Sequence, residues 1–229
     1  MLNISNLTKA LYKRTMASNQ LPSSENIMNL FTNVLEEKYN QKQKRNIWEN
    51  SPWKHIAELE NDDVGKVGEL TIQSYLKHAN IPCTIDGLKT KEIGGGCGDG
   101  IIKGQSVEIK TARLGSGSSC SFQHELGEKP WNAKYMLFLD IAPETMYITL
   151  FPNFTKDQYI ESGTNKAVKC DPVFPTKSIC WRKKQGAFKL DTTVPINEKN
   201  IYTFKWRHDE NIENKLQLFG NFVDKIVVN

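Results

Sequence analysis

Residues 94–113 read GGGCGDGIIKGQSVEIKTAR, and the turn inside this stretch decides which of its side chains meet. Gly104 and Gln105 separate two short apolar runs, and Gly at the first position of a two-residue loop suits a type II′ turn. That turn sets Lys103 opposite Ser106, Ile101 opposite Glu108 and Asp99 opposite Lys110. Side chains alternate across a strand, and paired residues share a face. The pairing therefore collects Asp99, Glu108 and Lys110 on one face and turns Ile102, Val107 and Ile109 toward a core. A one-residue slip of register would scatter the set. The plain alternative is a solvated hairpin with an Asp–Lys pair and a spare Glu.

The chemistry of the gathered set is specific. Two carboxylates about 4–7 Å apart repel in apolar surroundings and gain most by sharing a hard divalent cation. Mg²⁺ takes oxygen ligands and keeps several waters, one of which can attack phosphorus in line. Lys110 then offers a cation to that water or to a phosphoryl oxygen. The glycines from Gly94 to Gly100 offer a phosphate backbone close approach. A further carboxylate comes from upstream. Asp62 and Asp63 open a helix, VGKVGELTIQSYLKHAN, whose core stripe is Ile72, Tyr75, Leu76 and Ala79, and Asn80-Ile81-Pro82 ends it. Glu69 lies at the margin of that stripe, an expensive place for a charge without a cation or a route to solvent.

Around this centre the pattern is mixed. Ile27, Leu30, Phe31, Val34 and Leu35 recur at helical spacing and predict an amphipathic helix from about 23 to 39. From Ile81 to about 151 the runs IPCTI, GIIK, SVEIKTA, SCSFQH, KYMLFLDI and MYITLF read as strands. The C-terminal third is less regular, with IYTFKW as a strand and LQLFGNFVDKIV as a closing helix. The expected fold is α/β of mixed α+β type, a central mixed β-sheet flanked by helices. It forms one domain over 1–229, with a helical N-terminal extension (1–60), a core (62–162) and a C-terminal embellishment (163–229).

Composition narrows the class. The chain has 229 residues with 38% hydrophobic and 24% charged side chains, which suits a soluble globular protein. No apolar run is long enough for a membrane span, no secretory h-region opens the chain, and five cysteines form no CxxC pair. A reducing cytoplasm is expected, without a zinc site or a disulfide framework. The net charge of +4 divides into +3 for residues 1–50, −4 for 51–162 and +5 for 163–229. An acidic middle between basic flanks suits a metal centre beside surfaces that touch a polyanion, although solvated faces look the same.

The order GKVGE (65–69), GDG (98–100) and EIK (108–110) resembles the PD-(D/E)XK nuclease superfamily, over roughly residues 62–142. That superfamily includes most type II restriction endonucleases, and the resemblance implies a restriction-endonuclease-like core. It further implies that Asp99 and Glu108 bind Mg²⁺ with Ile109 in the ligand set, that Lys110 is the catalytic lysine, and that Glu69 is an auxiliary carboxylate. Gly98 stands where the family name has Pro, and Asp86 is the alternative ligand to Asp99. Gln123, Arg113 and Glu125 are expected near the phosphate or the water. Base edges are read mostly by Arg, Lys, Asn or Gln, and Arg182, Lys183, Lys184 and Gln185 beside Trp181 are the candidates, with 162–169 and 205–208 behind them. The expected activity is Mg²⁺-dependent cleavage of double-stranded DNA at a short sequence by a homodimer, without a nucleotide cofactor. A junction or repair nuclease on the same scaffold is the nearest alternative, and a binding module without catalysis the next.

Overall fold

A computed structural model of the chain describes residues 24–43, 46–85, 98–115, 120–127, 133–152, 167–170, 174–182 and 187–228. Its contacts divide the chain into two compact units, Met1–Asn46 and Ile47–Asn229. The first contains helix α1, Ser24–Gln43, where the helical spacing predicts one. Leu30, Phe31, Val34 and Leu35 are nevertheless exposed, so the stripe read as amphipathic does not enter a core. Residues 47–60 fall in the second unit, where Trp48 and Ile56 are buried in its core.

The second unit opens with a short 3₁₀ turn, Lys54–Ala57, and helix α2, Asn61–His78. Asp62 and Asp63 occupy the first turn of α2, where the positive helix end favours them. The helix stops in a Schellman motif. Asn80 takes a positive φ of 58°, the Ile81 N–H bonds the Leu76 carbonyl at 2.8 Å, and the Asn80 N–H bonds Lys77 at 3.1 Å.

Ten strands follow: β1 Cys83–Ile85, β2 Gly100–Ile102, β3 Gln105–Arg113, β4 Ser121–Gly127, β5 Tyr135–Ile141, β6 Thr145–Pro152, β7 Ala167–Cys170, β8 Phe174–Arg182, β9 Ala187–Thr193 and β10 Thr203–Arg207. Helices α3, Val194–Lys199, and α4, Ile212–Ile226, complete the unit. The main sheet is mixed and six-stranded, in the order β1-β2-β3-β5-β6-β10, with β3 and β5 parallel and the other pairs antiparallel. A second, antiparallel sheet has the order β4-β9-β8-β7. The runs expected as strands before residue 152 all form them. Strands β7 to β9 replace what reads as an irregular basic segment, while β10 and α4 belong to the central sheet and its cover.

Strand alternation sorts the main sheet into two faces. Val107 and Ile109 of β3, with Leu137 and Leu139 of β5, pack against Ile72 and Leu76 of α2 and Phe219 and Val223 of α4. On the other face Phe122 of β4 meets Ala112, Ala142 and Tyr147, so the second sheet reaches over the main one through β4. Helices thus cover one face, and β4 with the short α3 covers part of the other. No helix among the described residues is long and apolar enough to cross a membrane.

Gly68 governs how near α2 comes to β3. A Cβ at Gly68 would overlap the side chain of Thr111, so only glycine lets the helix lie this close. Gly68→Ala gains about 1 kcal/mol of helix propensity but forces an overpacked contact worth about 1–3 kcal/mol. We expect a net fall in melting temperature of a few degrees, about 2–4 °C per kcal/mol, read by circular dichroism, and partial recovery in Gly68→Ala/Thr111→Gly.

Candidate active site

The hairpin that carries the charged set turns one residue earlier than the sequence suggests. Lys103 and Gly104 have φ of 50° and 77°, and Ile102 pairs with Gln105, which makes a two-residue type I′ turn in place of type II′. Ile101 accordingly faces Ser106, not Glu108. The change moves every partner by two residues, and an even shift leaves each side chain on its face. Val107 and Ile109 are buried against the helices, and Glu108 and Lys110 share the opposite face, as expected.

Asp99 does not sit across from Lys110. Strand β2 begins at Gly100 and pairs only with residues 105–107, so beyond Val107 this edge of β3 has no strand beside it among the described residues. Asp99 lies just before β2, where its N–H bonds the Val107 carbonyl at 2.8 Å. Its carboxylate accepts the Ile109 N–H at 2.7 Å, in the position the next ladder carbonyl would take. The flanking glycines serve this geometry: a Cβ at Gly98 would strike the backbone of Val107, and one at Gly100 the backbone at Thr84. Their openness is filled by protein backbone, which corrects their reading as a phosphate cradle. Residues 94–97 and Asp86 lie outside the described residues.

Glu108 is buried, its side chain 9% exposed, and Oε1 accepts from Lys110 Nζ at 2.6 Å. Lys110 is more open, at 28%. Burial pushes the Glu108 carboxyl above its ordinary range. The Lys110 cation pulls against that, and the charges of Asp99 and, more weakly, Glu69 push it further up. Glu108 on a strand is therefore acted on by carboxylates from a turn and a helix. Glu69 itself is bound by Lys66 at 3.0 Å, one turn back on α2.

Among the described residues no three His, Cys, Asp or Glu side chains are arranged to hold a metal ion. The available donors are the Asp99 and Glu108 carboxylates and a main-chain oxygen. The Ile109 side chain is buried toward the helices, but its N–H points to the Asp99 edge, and the carbonyl of the same residue points the same way. One or two carboxylates, a carbonyl and waters are the donor set that suits Mg²⁺. The raised proton affinity of Glu108 marks negative charge that such a cation would relieve.

Other expected residues are not brought here. Arg113 alternates to the helix face, where Nη1 donates to the carbonyls of Ile56 and Leu59, the latter at 2.6 Å, and it fastens the 3₁₀ turn to β3. A phosphate contact by Arg113 is thus replaced by a structural one. Gln123 and Glu125 are exposed, while Phe122, His124 and Leu126 of the same strand turn inward, so both stand on the far side of β4 from the Glu108 face. In the 205–208 segment, Lys205 pairs with Glu198 at 2.6 Å and Arg207 with Asp209 at 3.0 Å, so nearby acids offset its charge. Arg182 ends β8, and Lys183, Lys184 and Gln185 lie outside the described residues. The sequence reading missed Asp140, buried on β5 and bonded to His124 Nε2 at 2.5 Å. Its signal was the single acid in the apolar run YMLFLDIA.

Comparison with family models, with curated proteins and with solved structures gives no match.

The Glu108 shift has a signed consequence. A carboxyl whose folded pKa is raised binds its proton more tightly in the folded state, so ionising it costs stability. That penalty is fully present above the folded pKa and vanishes below the ordinary value of 4.5. Glu108→Gln should therefore melt higher than the parent chain at neutral pH. The difference should close as melts are repeated down to about pH 4, the ordinary glutamate range.

Proposed function

We propose that the chain is a Mg²⁺-dependent endonuclease of restriction type that hydrolyses phosphodiester bonds in double-stranded DNA, built on a restriction-endonuclease-like core and acting as a homodimer. One observation carries the reading: Glu108 is buried against Lys110 on β3 and feels the charges of Asp99 and Glu69. The GE…D…ExK order that resembles the PD-(D/E)XK superfamily thus coincides with a shared electrostatic site on a strand edge that has no neighbouring strand there among the described residues. The basic ends of the chain suit a polyanionic partner. Two-fold symmetry suits the cutting of both strands.

Asp99, Glu108 and the Ile109 carbonyl would hold the cation, with Glu69 as an outer carboxylate. When bound, the cation supplies charge neutralisation at the scissile phosphate and a lowered pKa for a nearby water. The protein's own groups do the rest. The bond from the Ile109 N–H keeps the Asp99 carboxylate against the edge of β3. Glu108 holds the Lys110 ammonium at 2.6 Å until a phosphate oxygen competes for it. Lys110, the more exposed partner, can then turn to the anion and offset charge that grows in the transition state.

Purified full-length protein with Mg²⁺ should cut mixed-sequence genomic DNA into discrete bands. Glu108→Ala and Lys110→Ala should each lower that activity by about a hundredfold or more, while gel-shift binding of duplex DNA persists. A smear would indicate cleavage without sequence choice, and cutting confined to branched DNA would indicate a junction nuclease. Absence of metal-dependent cleavage on every substrate would overturn the enzyme reading and leave a binding module.

A further inference from the structure

On the sheet face that carries Glu108 and Lys110 lies a second polar cluster that the proposed hydrolysis does not use. His124 Nε2 lies 2.5 Å from Asp140 Oδ1, Asn197 Nδ2 donates to Asp140 Oδ2 at 2.5 Å, and Thr192 Oγ1 donates to Asn197 Oδ1 at 2.9 Å. Each of these residues is at most 2% exposed. Their origins matter. Asp140 belongs to β5 of the main sheet, His124 and Thr192 to β4 and β9 of the second sheet, and Asn197 to α3. Both Asp140 oxygens accept, which puts the ring proton of His124 on Nε2, while Nδ1 is buried with no partner among the described residues.

Stability alone does not explain the cluster. Burying a carboxylate costs several kcal/mol before its hydrogen bonds offset it, and apolar side chains of similar volume usually hold two sheets together as well. A directional chain instead fixes one relative placement of the elements it joins. The placement it fixes lies beside the candidate site. In the parallel register Ala112 pairs with Asp140 and Lys110 with Phe138, so Asp140 and Phe138 share the face of Glu108 and Lys110. The His124 ring lies on Phe138, with centroids 4.8 Å apart.

We infer that the chain His124–Asp140–Asn197–Thr192 is a positioning latch, which registers the second sheet over the strand face that carries Glu108 and Lys110. The inference rests on the hydrolase reading for its purpose: a duplex long enough to reach the carboxylates also spans the neighbouring second sheet, whose register over this face the latch sets. A small phosphodiester needs only the carboxylates. The latch is therefore required for duplex DNA and dispensable for a minimal substrate.

Asp140→Asn tests this, because the amide can meet both His124 and Asn197 only if the His124 ring proton moves to Nδ1, where no described residue accepts it. Thr192→Val is the milder second variant, since it removes only the bond to Asn197. In the full-length Asp140→Asn protein, kcat for duplex cleavage with Mg²⁺ should fall about a hundredfold, the scale of a small misplacement of reacting groups. Hydrolysis of bis(p-nitrophenyl) phosphate and the duplex Kd measured in Ca²⁺ should stay within about twofold. Thr192→Val should show the same split to a smaller extent. Equal loss on both substrates, or an unchanged duplex kcat, would overturn the latch. Amide exchange separates this result from failure of the hydrolase reading. If the parent cleaves neither substrate, faster exchange in 121–126 and 194–199 of Asp140→Asn, with 105–113 unchanged, still upholds the latch. Unchanged exchange in all three segments refutes it.

Discussion

The candidate site depends on where strand β2 stops. A strand edge left open inside a domain exposes N–H and C=O groups that must find partners. At Ile109 the partner is the Asp99 carboxylate, at 2.7 Å from the N–H. One hydrogen bond thus does two things. It ends the ladder without orphaning a buried amide, and it brings a carboxylate to the strand that carries Glu108 and Lys110. The glycines on either side of Asp99 allow it, since the backbone there runs against Val107 and Thr84 too closely for any Cβ. Had β2 continued along β3, the edge would be paired and Asp99 would be one more side chain in a ladder.

Helix α2 supplies the second constraint. Gly68 lets it close on Thr111, and Glu69 follows directly, near enough for its charge to act on Glu108. The result is a concentration of negative charge that packing alone would disfavour, because like charges and burial both raise the cost of ionising Glu108. Lys110 offsets part of it. The imbalance that remains makes the stability of the fold depend on pH.

Much of this was legible in the residues, and the reason lies in the arithmetic of strands. The sequence alone places the turn one residue late, because Gly104 reads as the first loop residue when it is the second, with Lys103 at φ 50° before it. Such an error moves partners by two, so the grouping of Glu108 with Lys110, and of Val107 with Ile109, survived it. The same parity told against Arg113, which alternates with Val107 and Ile109 and lies on the helix face. Position relative to the motif suggested a phosphate contact, while alternation pointed elsewhere, and alternation prevailed. The strands β7 to β9 were illegible for a different reason. Lysines interrupt their apolar residues, and β-propensity records packing against neighbours more than any intrinsic preference.

Asp140 shows how a buried charge could have been weighed. Within YMLFLDIA every residue from 135 to 142 is buried, and an acid there must have donors from elsewhere in the fold. Only residues distant in sequence supply them: His124 from 16 positions before and Asn197 from 57 after. Periodicity can mark such an acid as anomalous but cannot name its partners, since no local rule links β5 to α3. The two buried acids on this face are resolved in opposite ways. Asp140 has both oxygens bonded and is closed to further ligands. Glu108 is bonded to the partly exposed Lys110 and is repelled by Asp99 and Glu69.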